Sequence, residues 1–132
     1  MARTTHCRSN LHQIGVALHV YLDVHRERFP EAAQLPSLTP DKPSLAKVLS
    51  DFVEGNQAVF ACPADAQRFD TEGISYEYPA RRVAGKTIAD LVCRRDEVVR
   101  EPRHVWVLYD FDDVHPGGTR NTLYADGHVE TH

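Results

Sequence analysis

Residues 115–130 read His115-Pro-Gly-Gly-Thr-Arg-Asn-Thr-Leu-Tyr-Ala-Asp-Gly-His-Val-Glu130, and this segment predicts a loop that leads into a β-hairpin. Residues 122–125 favour a strand, and residues 128–131 favour the returning strand. Between them, Asp126 and Gly127 tolerate the positive φ angles that both central residues of a type I′ turn require. The pattern therefore predicts a tight hairpin with a two-residue turn.

A further strand precedes this hairpin at residues 104–110, which makes a meander of three strands. Apolar residues occupy both of its faces, and this indicates a central position in a small antiparallel sheet. We expect Trp106, with Tyr109 and Phe111, to belong to the core rather than to a ligand platform.

The N-terminal part of the chain predicts a long amphipathic helix over residues 4–27. Pro30 pushes the residue before it toward extended geometry, so the helix should end there. A helix of this length is a rod of about 36 Å. Apolar residues recur every three or four positions and form one stripe that would pack on the sheet, namely Cys7, Leu11, Ile14, Leu18 and either Tyr21 or Leu22.

Shorter elements are expected in the middle of the chain. Ser44 is a good N-cap for a short helix over 44–53. Short strands are predicted at 57–61 and 75–78, and a third helix at 87–95. The fold class is therefore α+β, with a long N-terminal α-helix packed against a small antiparallel β-sheet. We expect one domain over residues 1–132, with the helix at 1–29 and the head at 30–132.

Composition excludes several classes of function. The net charge of −4 argues against a nucleic-acid binder. The chain contains no apolar run long enough for a membrane span and no signal peptide. Basic residues gather in 81–103 and acidic residues in 108–132. These are either solvated faces of opposite sign or complementary patches that meet between neighbouring copies.

An ordered set of short motifs resembles one protein family. The chain reads Cys7, Asn10-Leu11 and Gln13-Ile14-Gly15, then Phe29-Pro30 and Cys62-Pro63, and finally His115 with Asp126-Gly127-His128-Val129. This order resembles the prepilin-type, pseudopilin-like proteins of the type II secretion class, and above all the group abundant in planctomycetes. That group has nine residues between the histidine and the Asp-Gly pair, whereas this chain has ten. A one-residue insertion in a glycine-rich loop is easily absorbed.

The resemblance implies a structural role and no catalysis. Such proteins are cleaved by a prepilin peptidase and held in the inner membrane by an N-terminal helix, with the head in the periplasm of the cell envelope. They assemble through that helix with other pseudopilin subunits and the secretion or pilus machinery. Residues 2–5 resemble the stretch just after the membrane helix, so we expect the chain to be a head that lacks this anchor.

The resemblance also suggests a disulfide and a calcium site. Cys7 and Cys62 lie on two family motifs, and a head outside the cytoplasm would allow a disulfide between them. The alternative is that both are small buried apolar residues. Because the major pseudopilins of type II secretion bind calcium near the C-terminus, Asp110, Asp112 and Asp113 are candidate calcium ligands. The alternative is a solvated acidic turn.

Three residues of the C-terminal motif allow a second hypothesis. The hairpin could bring His115, Asp126 and His128 together as metal ligands or as acid–base partners in a small metal-dependent enzyme. The structural alternative is that His115 and Asp126 stabilise the loop around Gly127 through hydrogen bonds. His12, His19 and His25 are expected on the surface, because their offsets of seven and six differ from the offsets of three or four that bring side chains close together on one helix face. A third hypothesis, a ligand-binding module, would require a deep apolar pocket away from the helix.

Overall fold

The computed structural model describes residues 2–35, 37, 40–62, 72–92, 102, 105–110 and 120–131. Within these ranges the chain forms an N-terminal helix and a four-stranded antiparallel sheet, which confirms the α+β prediction. No helix of the described ranges is both long and apolar enough to cross a bilayer.

Helix α1 spans Ala2–Val24 and carries the apolar stripe that the sequence predicted. Gly15 is also buried on this side, where a methyl group at its position would lie 2.9 Å from the Cδ1 atom of Leu123. Glycine therefore lets the helix approach the sheet closely. The last position of the stripe is Leu22, since Tyr21 is only partly buried. The residues of the stripe are all at most 2% exposed, namely Cys7, Leu11, Ile14, Leu18 and Leu22.

The end of α1 differs from the prediction. The helix stops at Val24, because Arg26 and Glu27 adopt left-handed backbone angles with φ of 57° and 63°. The amide of Glu27 bonds back to the Leu22 carbonyl at 2.7 Å. This reversal ends the helix several residues before Pro30.

The middle of the chain forms short helical turns. Helix α2 (Leu45–Val48) is followed by the 3₁₀ helix η1 (Ser50–Val53), so the predicted helix over 44–53 is divided. Ser44 caps α2 as expected, since its hydroxyl accepts the amide hydrogen of Lys47 at 3.1 Å.

The strand predicted at 57–61 is wrong. Gln57–Phe60 forms a second 3₁₀ helix, η2. Asn56 starts it, because its side-chain oxygen accepts the amide hydrogen of Ala58 at 3.3 Å. This cap draws the backbone into a turn, while Val59 and Phe60 still reach the core.

The sheet has the strand order β1-β2-β3-β4, with β1 at Tyr76–Glu77, β2 at Trp106–Asp110, β3 at Asn121–Tyr124 and β4 at Val129–Thr131. Every neighbouring pair is antiparallel. The predicted meander and the interior position of β2 are therefore confirmed. Two short helices, α3 (Ala80–Val83) and α4 (Ile88–Val92), follow β1. Helix α4 confirms most of the helix predicted at 87–95. Thr87 instead forms an isolated bridge with Arg28, and residues 93–95 lie outside the described residues.

The hairpin between β3 and β4 is real, but its predicted turn is wrong. The amide of Gly127 bonds to the Tyr124 carbonyl, and the amide of Tyr124 bonds to the His128 carbonyl, each at 2.9 Å. The loop therefore has three residues, and only Gly127 has a positive φ, at 94°. A turn followed by one glycine with positive φ is the usual three-residue hairpin, and it spares Asp126 the unfavourable angle.

The prediction that Trp106 belongs to the core is wrong. It is 37% exposed, because an irregularity in the β2–β3 register falls between Trp106 and Leu108. The Arg82 guanidinium lies 3.9 Å from the centroid of its ring, and Tyr109 meets it edge-on at 5.2 Å. Phe111 lies outside the described residues.

Candidate functional site

The candidate site is helix α1 together with the contacts that fix it to the head. A disulfide joins Cys7 of α1 to Cys62, which follows η2, with Cα atoms 5.1 Å apart. One turn further on, the side-chain amide of Asn10 donates to the Ala61 carbonyl at 2.9 Å. The amide of Cys62 in turn donates to the Ser75 hydroxyl at 2.9 Å. Covalent and polar contacts therefore hold the first half of α1 against the head.

The hairpin holds α1 from the opposite side. The His19 Nε2 atom and the Ala125 carbonyl oxygen form a hydrogen bond of 2.9 Å. Arg8 donates to the Val129 carbonyl at 3.3 Å. Histidines 12, 19 and 25 are all exposed, as predicted, but the contact that His19 makes was not foreseen.

The hairpin tip carries a chain of ionisable side chains around His128. Its Nδ1 atom lies 2.5 Å from Asp126 Oδ1 and its Nε2 atom 3.2 Å from Glu130 Oε2. Its ring also stacks on Tyr124, with centroids 4.6 Å apart. Carboxylates only accept hydrogen bonds, so the arrangement suits an imidazolium that donates from both nitrogens.

These contacts shift the pKa of Asp126 and the pKa of His128. Partial burial acts to lower the pKa of His128, but the bonds to Asp126 and Glu130 outweigh it, and the pKa is raised. Partial burial acts to raise the pKa of Asp126, but the hydrogen bonds from His128 outweigh it, and the pKa is lowered. Asp126 also accepts the amide hydrogen of His128 at 3.1 Å. The pair therefore stabilises the loop around Gly127, as the structural alternative predicted for Asp126.

The structure describes only some of the candidate metal ligands. His115, Asp112 and Asp113 lie outside the described residues. Asp110 is 1% exposed, and its Oδ2 atom accepts the amide hydrogen of Asn121 at 2.8 Å, so this carboxylate ties β2 to β3. Among the side chains that the structure places, no group of three His, Cys, Asp or Glu is arranged to hold a metal ion. Calcium at the acidic loop stays a prediction.

The exposed side of α1 carries a feature that sequence reasoning missed. Val16, Val20 and Val24 point away from the core and are 57%, 45% and 64% exposed. They lie at i, i+4 and i+8 and form one row, which we call the valine ridge. The spacing was visible in the sequence, but the buried stripe on the other side of the helix accounted for the amphipathic pattern.

Away from α1, a cavity of about 420 Å³ lies between the segment after the helix and α3. Charged side chains contribute to its lining, including Glu31, Lys42 and Arg81. Lys42 and Glu31 form an exposed ion pair across 3.4 Å. This charged cavity does not match the deep apolar pocket that a ligand-binding module requires.

One comparison with known proteins gives a match. Residues 1–58 match the family SBP_bac_10, described as a protein of unknown function (DUF1559). The matched segment covers α1, α2 and η1, whereas the hairpin lies beyond it. No curated protein and no solved structure gives a match.

Proposed function

We propose that this chain is a structural subunit of a pseudopilus-like assembly of the type II secretion and type IV pilus class, and that it has no enzymatic activity. The observation that carries the proposal is the difference between the two sides of α1. One side of this 23-residue helix is fixed to the head, and the other side presents an apolar ridge to solvent. A helix built in this way suits assembly rather than catalysis.

The comparison and the motif order support the same class. The matching family is associated with planctomycete pseudopilin-like proteins, and the match covers the helix through which we propose assembly. The Cys-Pro and Asp-Gly-His-Val motifs follow in the order of that group, outside the matched segment.

The disulfide supports a place in the cell envelope. Disulfides persist in oxidising compartments such as the periplasm, and they are rare in the cytosol. We propose that the head lies in the periplasm and that an inner-membrane helix, preceding α1 in the natural gene product, anchors it. The partners are then other pseudopilin subunits, the assembly machinery and, for the precursor, a prepilin peptidase.

In the part of the chain that the structure describes, no specific observation favours the metal-dependent enzyme. Both ring nitrogens of His128 face carboxylates, so this side chain has no lone pair directed toward a metal. A chelator-free metal analysis, repeated with His115→Ala, tests this candidate directly. A stoichiometric metal in the unmodified protein that is absent from the His115→Ala variant would support the metal-dependent enzyme.

The gene product in its native host tests the assembly proposal. Upstream of Ala2 we expect about twenty apolar residues behind a prepilin cleavage site. The protein should fractionate with the inner membrane, shift in mass when the prepilin peptidase gene is present, and appear in sheared filaments by immunogold labelling. A mature protein that starts at Met1 and stays in the cytosol would refute the proposal.

A further inference from the structure

We propose that the valine ridge is a contact surface for a second copy of this chain, bound with the two α1 helices antiparallel. Val16, Val20 and Val24 are each about half exposed or more. β-Branched side chains are slightly unfavourable in a helix, and three of them in one row leave a continuous apolar strip in water. Burial of that strip against another apolar surface is favourable.

The surroundings of the ridge fit another copy of the same ridge. A groove of about 490 Å³ lies between α1 and the hairpin, with Gly15 and Gly127 in its lining. A second groove, of about 400 Å³, lies between α1 and η1, beside Phe52 and Val53. A row of residues four apart, set between grooves, can pack into the grooves of an identical helix at a crossing angle of about 50°. The surface is therefore complementary to itself.

Polar residues along the ridge select the antiparallel arrangement. A two-fold axis midway between Val16 and Val20 packs Val16 of each copy against Val20 of the other. It places Val24 at the edge of the contact, beside His12 of the second copy. The same axis brings Asp23 beside Gln13 and His12 of the second copy, whose side chains can donate hydrogen bonds to its carboxylate. A parallel pair in register would instead place the two Asp23 carboxylates together, which is repulsive.

The expected contact is small. Three valines and their polar borders lie at the lower end of specific interfaces, below about 1,200 Å² in total, so pairing should be weak and dependent on concentration. The pair would cover a side of α1 that filament assembly also needs, so pairing and assembly would compete. The inference itself does not depend on the proposed function.

Sedimentation analysis of the 132-residue chain from about 10 μM to about 1 mM tests the pairing. We expect a reversible dimer, which Val20→Asp weakens at least tenfold because it places an unpaired charge against Val16 of the second copy. Ala89→Asp adds the same charge to an exposed position of α4 and should leave the dimer unchanged. A chain that stays monomeric throughout, or equal effects of the two variants, would overturn the proposal.

Cysteine cross-linking tests the orientation. In a Cys93→Ser background, mixing Val16→Cys with Val20→Cys should give the 16–20 cross-link several times faster than either cross-link between identical positions. Asp23→Lys should weaken the dimer, and addition of Gln13→Glu should restore it. Faster cross-linking of identical positions would refute the antiparallel arrangement. A monomeric head would leave the filament proposal standing, and a cytosolic gene product would leave the dimer standing.

Discussion

Gly15 of α1 faces the side chain of Leu123 in β3, and a side chain at position 15 would require a displacement there. A Cβ atom at position 15 would stand 2.9 Å from Leu123 Cδ1 and 3.6 Å from the Gly127 carbonyl oxygen. Leu123 is fully buried and pairs with Leu108 and Val129 on its two neighbouring strands. This contact sets how closely the helix approaches the sheet.

Gly15→Ala should therefore destabilise the protein even though it improves helix propensity. Alanine gains about 1 kcal/mol over glycine in a helix, whereas overpacking of a core costs about 1–3 kcal/mol. We expect a net loss of about 1 kcal/mol in the free energy of urea unfolding. In a Leu123→Ala background the same substitution should become neutral or stabilising. If Gly15→Ala stabilised the otherwise unmodified chain, the prediction would be wrong, and α1 could move away from β3 at little cost.

The disulfide should contribute strongly to stability. It closes a loop over a sequence separation of 55 residues, and loop-closure entropy predicts a contribution of about 4 kcal/mol. Replacement of both Cys7 and Cys62 by alanine should lower the free energy of unfolding by roughly that amount. The control is Cys93→Ser, which keeps the bridge. If both proteins unfold at the same urea concentration, the bridge does not hold α1 in place.

The hairpin should have its largest effect on stability in mildly acidic solution. The raised pKa of His128 means that its contribution is complete below the unfolded value of about 6.5 and is lost as the pH rises through the folded pKa. The lowered pKa of Asp126 means that its contribution is present above its unfolded value and is lost as the pH falls through the folded pKa. The effect should stay below about 1 kcal/mol, because both side chains are 37% exposed and solvent screens their interaction.

His128→Asn should reduce this pH dependence. The measurement is the free energy of urea unfolding at several values between about pH 4 and pH 8, together with an NMR titration of the His128 ring. His6→Asn, at an exposed position of α1, serves as the control. An NMR midpoint for His128 at or below that of a free histidine would contradict the prediction.

Tyr78→Phe should remove a buried hydrogen bond. The Tyr78 hydroxyl donates to the Pro30 carbonyl at 2.8 Å, and the residue is 1% exposed. Loss of the donor leaves a buried carbonyl unpaired, which costs about 1–3 kcal/mol. The expected result is a decrease of that size in the free energy of unfolding. Tyr21→Phe is the matched control, because Tyr21 packs through its ring against His25 and Phe52.

Local sequence patterns correctly predicted α1 and the meander, because residues a few positions apart determine these elements. The apolar stripe of α1 repeats at the helical period, so burial of one side was readable before any tertiary contact was known. The alternating apolar strands around Asp126 and Gly127 likewise predicted the meander. A secondary-structure prediction was wrong where two local conformations bury the same side chains. At 57–60, a strand and a 3₁₀ turn both bury Val59 and Phe60, and the Asn56 cap decides between them.

The candidate site was predictable in its parts but not in its arrangement. Cys7 and Cys62 could be named as a pair from the family motifs alone, whereas the bonds of Asn10 and His19 join residues 51 and 106 positions apart. Side-chain contacts over such distances depend on how the helix is placed on the sheet, which no local pattern specifies. Exposure of the valine ridge depends on the same placement.

Periodicity and turn residues act over a few positions of the chain, and they were enough to predict a long amphipathic helix on an antiparallel meander. The end of α1, the length of the hairpin loop and the exposure of Trp106 required knowledge of the tertiary structure. Just after α1, Arg28 and Phe29 pair with Thr87 and Lys86. Ala125 of the hairpin loop bonds to His19 of α1, and Trp106 follows the register between β2 and β3. Contacts between such distant segments outweigh local preference.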